Sequence, residues 1–183
     1  MVSNNFELII TTHSTITHSD KIRIIQLVRS IWPSKDGIEH SNEEELELFF
    51  ADRPEERHII FKYDNVVSGY ARVFLREIMI GERLFRNCAL ACVCVDESQR
   101  LRGYGHQIVR QAFKLVDTGH YDCSLFQTAV PRFYEKLGAK VIYNTCVNSH
   151  DGNSNPWWDK FIMIYPSSVE TSEYIIDIKG KGY

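Results

Sequence analysis

Residues 88–117 read CALACVCVDESQRLRGYGHQIVRQAFKLVD, and the pattern changes twice along them. Residues 88–95 carry no charge, as expected of a strand buried on both faces. From Tyr104 the period becomes helical: Ile108, Val109, Ala112, Phe113, Leu115 and Val116 share one face, opposite His106, Gln107, Arg110, Gln111 and Lys114. Gly119 is placed to end that helix. Between the two lies Arg-x-x-Gly-x-Gly, formed by Arg100, Gly103 and Gly105. A strand turning sharply into a helix leaves first-turn N–H groups without partners and aims the positive end of the helix dipole outward, which suits phosphate. The glycines admit a ligand close to the backbone, and Arg100 and Arg102 add positive charge. Two other phosphate loops are excluded. No Gly-Lys-Ser/Thr follows, and Ile108 stands where a dinucleotide fingerprint has its third glycine or alanine.

At 183 residues, one domain spanning 1–183 with a sizeable core is the expectation. A hydrophobic share of 44% and a charged share of 25% are those of an ordinary soluble protein. The formal charge of −3 and the lack of a basic run leave no footprint for nucleic acid. No apolar run approaches the ~20 residues of a membrane span, so no membrane partner is expected. The N-terminus lacks the charged-then-apolar pattern of a signal peptide, and a cytoplasmic location follows as the expectation. The cluster Glu43-Glu44-Glu45 with Glu47 reads as a solvated helix face.

Five cysteines make an odd count. Cys88, Cys92 and Cys94 share one face of a single strand, too extended for mutual disulfides, while Cys123 and Cys146 fall in other strands. Buried reduced thiols are the reading this supports. Zinc would need four clustered ligands, and Cys-x-Cys without a second pair does not supply them; no metal is expected.

The rest of the chain divides readily. Phe6 to Thr11 is a strand; Asp20 can cap a helix through Ile22, Ile24, Ile25, Leu27, Val28 and Ile31, closed by Trp32-Pro33. After a polar loop, Ser41 or Asn42 can cap a second helix through Leu46, Leu48, Phe49 and Phe50. His58 to Tyr63 and Val66 to Leu75 are strands joined by the hairpin pair Asp64-Asn65. Beyond the central unit come a strand at Asp122 to Gln127, a short helix at Pro131 to Leu137 and a strand at Ala139 to Val147. A polar loop, a strand at Trp158 to Tyr165 and a further strand at Tyr174 to Ile178 complete the chain.

The first motif, together with Phe133-Tyr134-Glu135-Lys136-Leu137-Gly138-Ala139 downstream, resembles the GNAT superfamily of acetyl-CoA-dependent N-acetyltransferases. The order of elements is similar over most of the chain. The resemblance implies an α/β (α+β) fold with a mixed, mostly antiparallel central sheet and helices on both faces. It implies acetyl-CoA as cosubstrate, held by the amides and side chains of Arg100, Leu101, Arg102, Gly103, Tyr104, Gly105 and His106, with Val93, Cys94 and Val95 beside the pantetheine arm. It makes Tyr134 the general acid that protonates the coenzyme A sulfur. The acceptor it implies is a small-molecule primary amine. A homodimer is left open. The family's frequent base, a glutamate on the central strand, is missing: Ala89 and Ala91 hold its places. An ordered water chain, Glu77, Glu82 or an acceptor of low intrinsic pKa could each stand in.

The C-terminal third, Pro156-Trp157-Trp158-Asp159 through FIMIYP and Val169-Glu170-Thr171-Ser172, resembles aminoglycoside 2′-N-acetyltransferases, as does the segment Arg76 to Arg86. By that resemblance Asp36, Trp158, Asp159 and the carboxylate of Tyr183 would line the acceptor site. Departures reduce its acidity: tryptophans replace two positions of an acidic run, and Lys181 stands where an acid is usual. The rival reading from another class is a non-catalytic acyl-CoA-binding module or sensor of the same fold, which the missing strand glutamate favours.

Overall fold

A computed structural model describes residues 6–33, 42–51, 53–152 and 154–183, with the backbone alone for Asn42. The elements are β1 (Phe6–Thr11), α1 (His18–Ile31), α2 (Asn42–Phe49), β2 (Arg57–Tyr63), β3 (Val66–Ile80), β4 (Arg83–Val95) and α3 (Tyr104–Asp117). They continue with β5 (Ser124–Thr128), α4 (Pro131–Glu135), β6 (Lys140–Ile142), β7 (Cys146–Val147), β8 (Phe161–Tyr165) and β9 (Ile176–Asp177). This is the mixed α/β fold with a mostly antiparallel sheet and helices that the sequence led one to expect. The fold divides into two compact units, one of residues 1–73 and 92–111, the other of 74–91 and 112–183.

In the first unit β1, β2 and the start of β3 form an antiparallel meander, with Ile60 opposite both Ile9 and Tyr70, and Phe61 opposite Gly69. Alternation sends Ile60 and Tyr70 to one face, where Ile24, Ile25 and Leu27 of α1 and Phe50 after α2 close over them. The other face takes α3. Tyr104 stacks on Phe61 with centroids 4.1 Å apart. Gly69 leaves room for Ile108, whose Cδ1 would lie 2.8 Å from any added Cβ. Helices therefore cover both faces of this part of the sheet. Helix α1 is capped by Thr17, which accepts from the Asp20 N–H at 3.2 Å. Asp20 was the expected cap; its carboxylate pairs instead with Lys62 at 2.7 Å.

In the second unit the end of β3 pairs antiparallel with β9, which pairs parallel with β7, while β5, β8 and β6 form a separate antiparallel sheet in that order. Ile78, Ile80, Phe85, Leu125, Trp157, Ile164 and Ile176 pack together in its core. Phe113 of α3 stacks on Tyr165 at 3.9 Å, and the Tyr165 hydroxyl donates to Asp117 at 2.5 Å. The expected strand at Ala139 to Val147 is two short ones. Between them the Asn144 amide donates to the carbonyls of Thr171 and Tyr174, which diverts the chain from any ladder. The last long strand starts at Phe161 rather than Trp158, because the Trp158 and Asp159 N–H groups go to the side-chain oxygen of Gln127 at 3.0 and 2.9 Å.

Strands β4 and β5 touch and then part. They share the bridge Asn87↔Cys123, and the Cys88 N–H still reaches the Cys123 carbonyl at 2.8 Å. One residue on, side chains replace the ladder. Ser124 Oγ donates to the Cys88 carbonyl at 2.7 Å, and the Leu125 N–H donates to Asn87 Oδ1 at 2.6 Å. Side-chain bonds of this kind satisfy backbone groups where two strands diverge.

Candidate functional site

The turn from β4 to α3 is held from below and open above. The Asp96 N–H donates to the Ser68 carbonyl at 2.8 Å, its carboxylate accepts from Ser98 Oγ at 2.7 Å, and Arg23 pairs with it at 2.8 Å. Hydrogen bonds from Ser98, with the Arg23 guanidinium alongside, hold the Asp96 carboxyl below its usual range. A short 3₁₀ turn at Glu97–Gln99 follows. Arg100 then folds back, its Nε–H donating to the Val95 carbonyl at 3.1 Å. Leu101 takes a left-handed backbone, φ 63°, with its side chain fully exposed. Gly103 is left-handed too, φ 83°, and an added Cβ would meet nothing within 4 Å. The first bond into α3 runs from the Gln107 N–H to the Gly103 carbonyl at 3.2 Å, so by helix geometry the preceding amides point out of the helix end. Such amides, with Arg100 and Arg102 beside them, can hold an anion.

Within this unit Arg100, Leu101, Arg102 and Gly103 form the turn, and Gly105 and His106 follow in the first turn of α3. Tyr104 contributes differently from the rest: its ring is the anchor on Phe61, with Phe6 at 6.2 Å, and only its backbone belongs to the helix start. Cys94 is buried and its thiol is pushed far up by burial, so it offers backbone rather than a nucleophile. No sequence signal marked Cys92, which has φ 56° in mid-strand. A left-handed non-glycine costs on the order of 1 kcal/mol and, inside a strand, breaks the alternation of side chains. Cys92 and Cys94 nevertheless pack against the same apolar cluster. All five cysteines are free, and among the described residues no His, Cys, Asp and Glu group is placed to hold a metal.

In the second unit Tyr134 is buried at 6% exposure, its ring 4.7 Å from Phe126 and 4.8 Å from Phe133. Trp158 is exposed, whereas Trp157 lies in the core. Tyr183, the expected source of a terminal carboxylate, has its side chain built into this unit. Its ring packs against Trp157 at 5.1 Å and Phe74 at 5.4 Å. Its hydroxyl receives the Asn87 amide at 2.7 Å and donates to the Leu125 carbonyl at 2.7 Å. Its main-chain oxygen accepts from Gln127 Nε2 at 3.1 Å, and Gly182 before it lies against the Pro156 carbonyl with no room for a Cβ. Asp36 lies outside the described residues. The alternative bases Glu77 and Glu82 are both exposed, and Ala89 and Ala91 are buried.

The sequence reading also passed over a buried polar group in the first unit. His58 lies opposite Arg72 in the β2–β3 register, and its Nδ1 is 2.8 Å from the Tyr70 hydroxyl. Glu56 Oε1 accepts from Arg53 at 3.3 Å and lies 3.9 Å from Arg72. Alternation from Ile60 puts His58 on the inward face; a polar residue there was the one legible sign of it.

The chain belongs to the acetyltransferase (GNAT) family, whose profile matches residues 22–139. No protein of curated function matches it. Its fold is similar to a GCN5-related N-acetyltransferase from Kribbella flavida, with a TM-score of 0.61 at 17% identity over 76% of this chain and 34% of that one. This chain thus spans about a third of the Kribbella protein's length. It is similar too to Escherichia coli ElaA, with a TM-score of 0.56 at 18% identity over 87% of this chain and 99% of the other. A GNAT-family acetyltransferase from Staphylococcus aureus gives 0.60 at 16% identity over 86% and 98%. Likeness at such identities is one of fold. Among the described residues no helix is long and apolar enough to cross a membrane.

Proposed function

We propose that the protein transfers an acetyl group from acetyl-CoA to a primary amine. The observation that carries this reading is the open turn after β4, where left-handed Leu101 and Gly103 and exposed Arg102 surround the start of α3 in a chain of the acetyltransferase family. In this reading the amides from Arg100 to His106 bind the coenzyme pyrophosphate, and the backbone of Val93, Cys94 and Val95 lies along the pantetheine arm. Holding the thioester rigidly lowers the entropic part of the barrier. A strand amide near the thioester oxygen would stabilise negative charge as it develops there. Tyr134 gives its phenolic proton to the departing sulfur. Asp159 and Trp158 remain candidate acceptor contacts. With Trp157, Trp158 and Lys181 where the aminoglycoside 2′-N-acetyltransferases carry acids, the acidic lining that a polycationic aminoglycoside would need is thinner.

The test begins with the coenzyme. An aspartate at Gly103 would put a carboxylate on a left-handed backbone beside bound phosphate. Gly103→Asp should weaken coenzyme A binding by about 100-fold, the size of one or two charge-assisted hydrogen bonds. Calorimetry that finds equal affinity in the two proteins sinks the assignment of the loop. Release of free thiol from acetyl-CoA across a panel of amines separates an enzyme from a binding module.

A further inference from the structure

Five buried side-chain polar atoms find no hydrogen-bond partner among the described residues, and three belong to one cluster: Glu56 Oε2, His58 Nε2 and Arg72 Nε. The elements converge there for simple reasons. Antiparallel pairing sets His58 beside Arg72, and alternation adds Tyr70 and Glu56 to the same face. The end of α2 closes it: the Phe49 carbonyl accepts from Arg72 Nη1 at 2.8 Å, and the guanidinium lies 4.6 Å from the Phe49 ring centroid. The Phe50 and His58 rings are 5.3 Å apart. Cys92, the left-handed residue of β4, packs against the apolar cluster that holds Tyr70 and Phe50, and directly precedes Val93. The cluster therefore borders the strand assigned above to the acetyl donor.

A network that serves only stability has its members satisfied, because a bare buried polar atom keeps its full desolvation penalty. Here His58 is completely buried and the Glu56 side chain is 2% exposed, yet each keeps an unused atom. Arg72 Nε–H is a donor, Glu56 Oε2 an acceptor, and His58 Nε2 either one according to tautomer. Whatever completes all three must both donate and accept. Charge narrows it further. Two guanidiniums, Arg53 and Arg72, face one carboxylate, so an ammonium alone would add to an excess of positive charge. An ammonium that carries its own carboxylate would not.

We propose that Glu56, His58 and Arg72 form the acceptor subsite for a molecule bearing a primary amine beside a carboxylate, such as an amino acid, with Glu56 Oε2 as the group that takes the amine's proton. This rests on the acetyl-transfer reading above. The carboxylate meets Arg72 Nε–H, and the ammonium meets Glu56 Oε2 and His58 Nε2. One ammonium proton passes to Glu56, and the freed nitrogen lone pair attacks the thioester carbonyl. The C–N bond forms, the C–S bond breaks, and the second nitrogen proton accounts for the one the sulfur receives by way of the general acid. Glu56 returns its proton to solvent, so an amide, coenzyme A and one proton leave.

The surroundings suit Glu56 better than His58 for this work. Burial raises the Glu56 carboxyl above its usual range, opposed by Arg53 and Arg72 and by His13 before α1. His58 is brought down to about 3, first by burial and then by Arg72, His13, Lys21 and Arg53. Tyr70 and Cys92 are raised by burial and stay protonated. Glu56 is thus the member whose hold on a proton its burial strengthens.

The experiment compares amino acids with the amines left after removing the carboxylate: phenylalanine with phenethylamine, tryptophan with tryptamine, lysine with cadaverine. Each is titrated calorimetrically into the coenzyme A-saturated protein and then assayed with acetyl-CoA. At least one amino acid should bind about 10-fold or more tighter than its amine, the size of one charge-assisted hydrogen bond. Arg72→Gln should erase that preference. Glu56→Gln, nearly isosteric, should weaken amino-acid binding by about 10-fold, the size of one charge-assisted hydrogen bond, while kcat falls roughly 100-fold or more and the acidic limb of the pH profile disappears. Failure of every amino acid to bind wild-type protein that does bind coenzyme A overturns the subsite, with no variant needed. Undiminished turnover in a folded Glu56→Gln protein overturns the proton role. Amino-acid binding without acetylation keeps the subsite and instead overturns the acetyl-transfer reading and the proton role that depends on it.

Discussion

Asn87 in the second unit and His58 in the first are both fully buried polar residues on strands, and their surroundings could hardly differ more. The Asn87 carbonyl oxygen receives the Leu125 N–H, its amide donates to Tyr183, and the Tyr183 hydroxyl goes on to the Leu125 carbonyl. That ring of bonds substitutes for the ladder where β4 and β5 separate. His58 uses one nitrogen on Tyr70 and keeps the other unused, beside a glutamate and an arginine that do the same. The difference separates two uses of buried polarity. A satisfied group shapes the backbone, and an unsatisfied group holds interaction energy for something else.

The largest effect expected from this contrast is at Asn87. Asn87→Ala strands the Leu125 N–H and leaves a small void, which together should lower stability by about 3 kcal/mol in urea unfolding. Turnover per folded molecule should change little. A variant that unfolds no more easily would mean that solvent reaches the β4–β5 divergence and that Asn87 is not its keystone.

Tyr134 lies between the two categories, and one substitution assigns it. Its ring is packed on Phe126 and Phe133, so Tyr134→Phe keeps the packing and removes the hydroxyl alone. As general acid, the hydroxyl acts only when the thiolate departs, and its loss should lower kcat and kcat/KM together. Because that thiolate is already a fair leaving group, about 10–100-fold is expected, at the low end for general acid catalysis. Wild-type turnover combined with lowered stability would move Tyr134 to the structural side with Asn87.

The sequence disclosed these regions unequally, for physical reasons. The turn from Asp96 to Gly105 was legible because a strand period, two glycines and a helical period follow one another without interruption, and each has a local cause. Tyr104 opens the helix at the end of that turn, and its ring packs on Phe61, a neighbour distant in sequence. Cys92 gave no sign of a left-handed backbone, since the residue that usually marks one is glycine. Thr17 was missed as a cap because Asp20, three residues on, is an equally good cap by type. The split of β6 from β7 depends on Asn144 reaching carbonyls some thirty residues away. The Glu56 cluster needs three strands and the end of α2 in register before it exists. Local pattern carries the first kind of information and tertiary pairing the second.

The smallest expected effect tests whether the first-unit cluster is as dry as its burial implies. An ordinary histidine titrates near 6.5, whereas His58 titrates at about 3 because burial and the charges of Arg72, His13, Lys21 and Arg53 oppose its imidazolium. Below pH 6.5 the unfolded chain binds a proton that the folded protein refuses. Stability is therefore complete above that pH and declines on acidification by up to about 1.4 kcal/mol per pH unit, until the folded pKa is reached. Glu56 acts in the opposite sense: burial raises its folded pKa, so the folded state takes a proton first and its share of stability grows as pH falls toward the ordinary carboxylate range. Urea unfolding at about pH 7.5 and about pH 5.5 should show wild type losing about 1.4 kcal/mol more than His58→Gln on acidification. The deficit of Asn87→Ala should stay constant over the same range, because nothing in its ring of bonds titrates there. Equal acid sensitivity in wild type and His58→Gln would mean that His58 protonates as freely folded as unfolded. Its surroundings would then be hydrated, and the contrast with Asn87 would disappear.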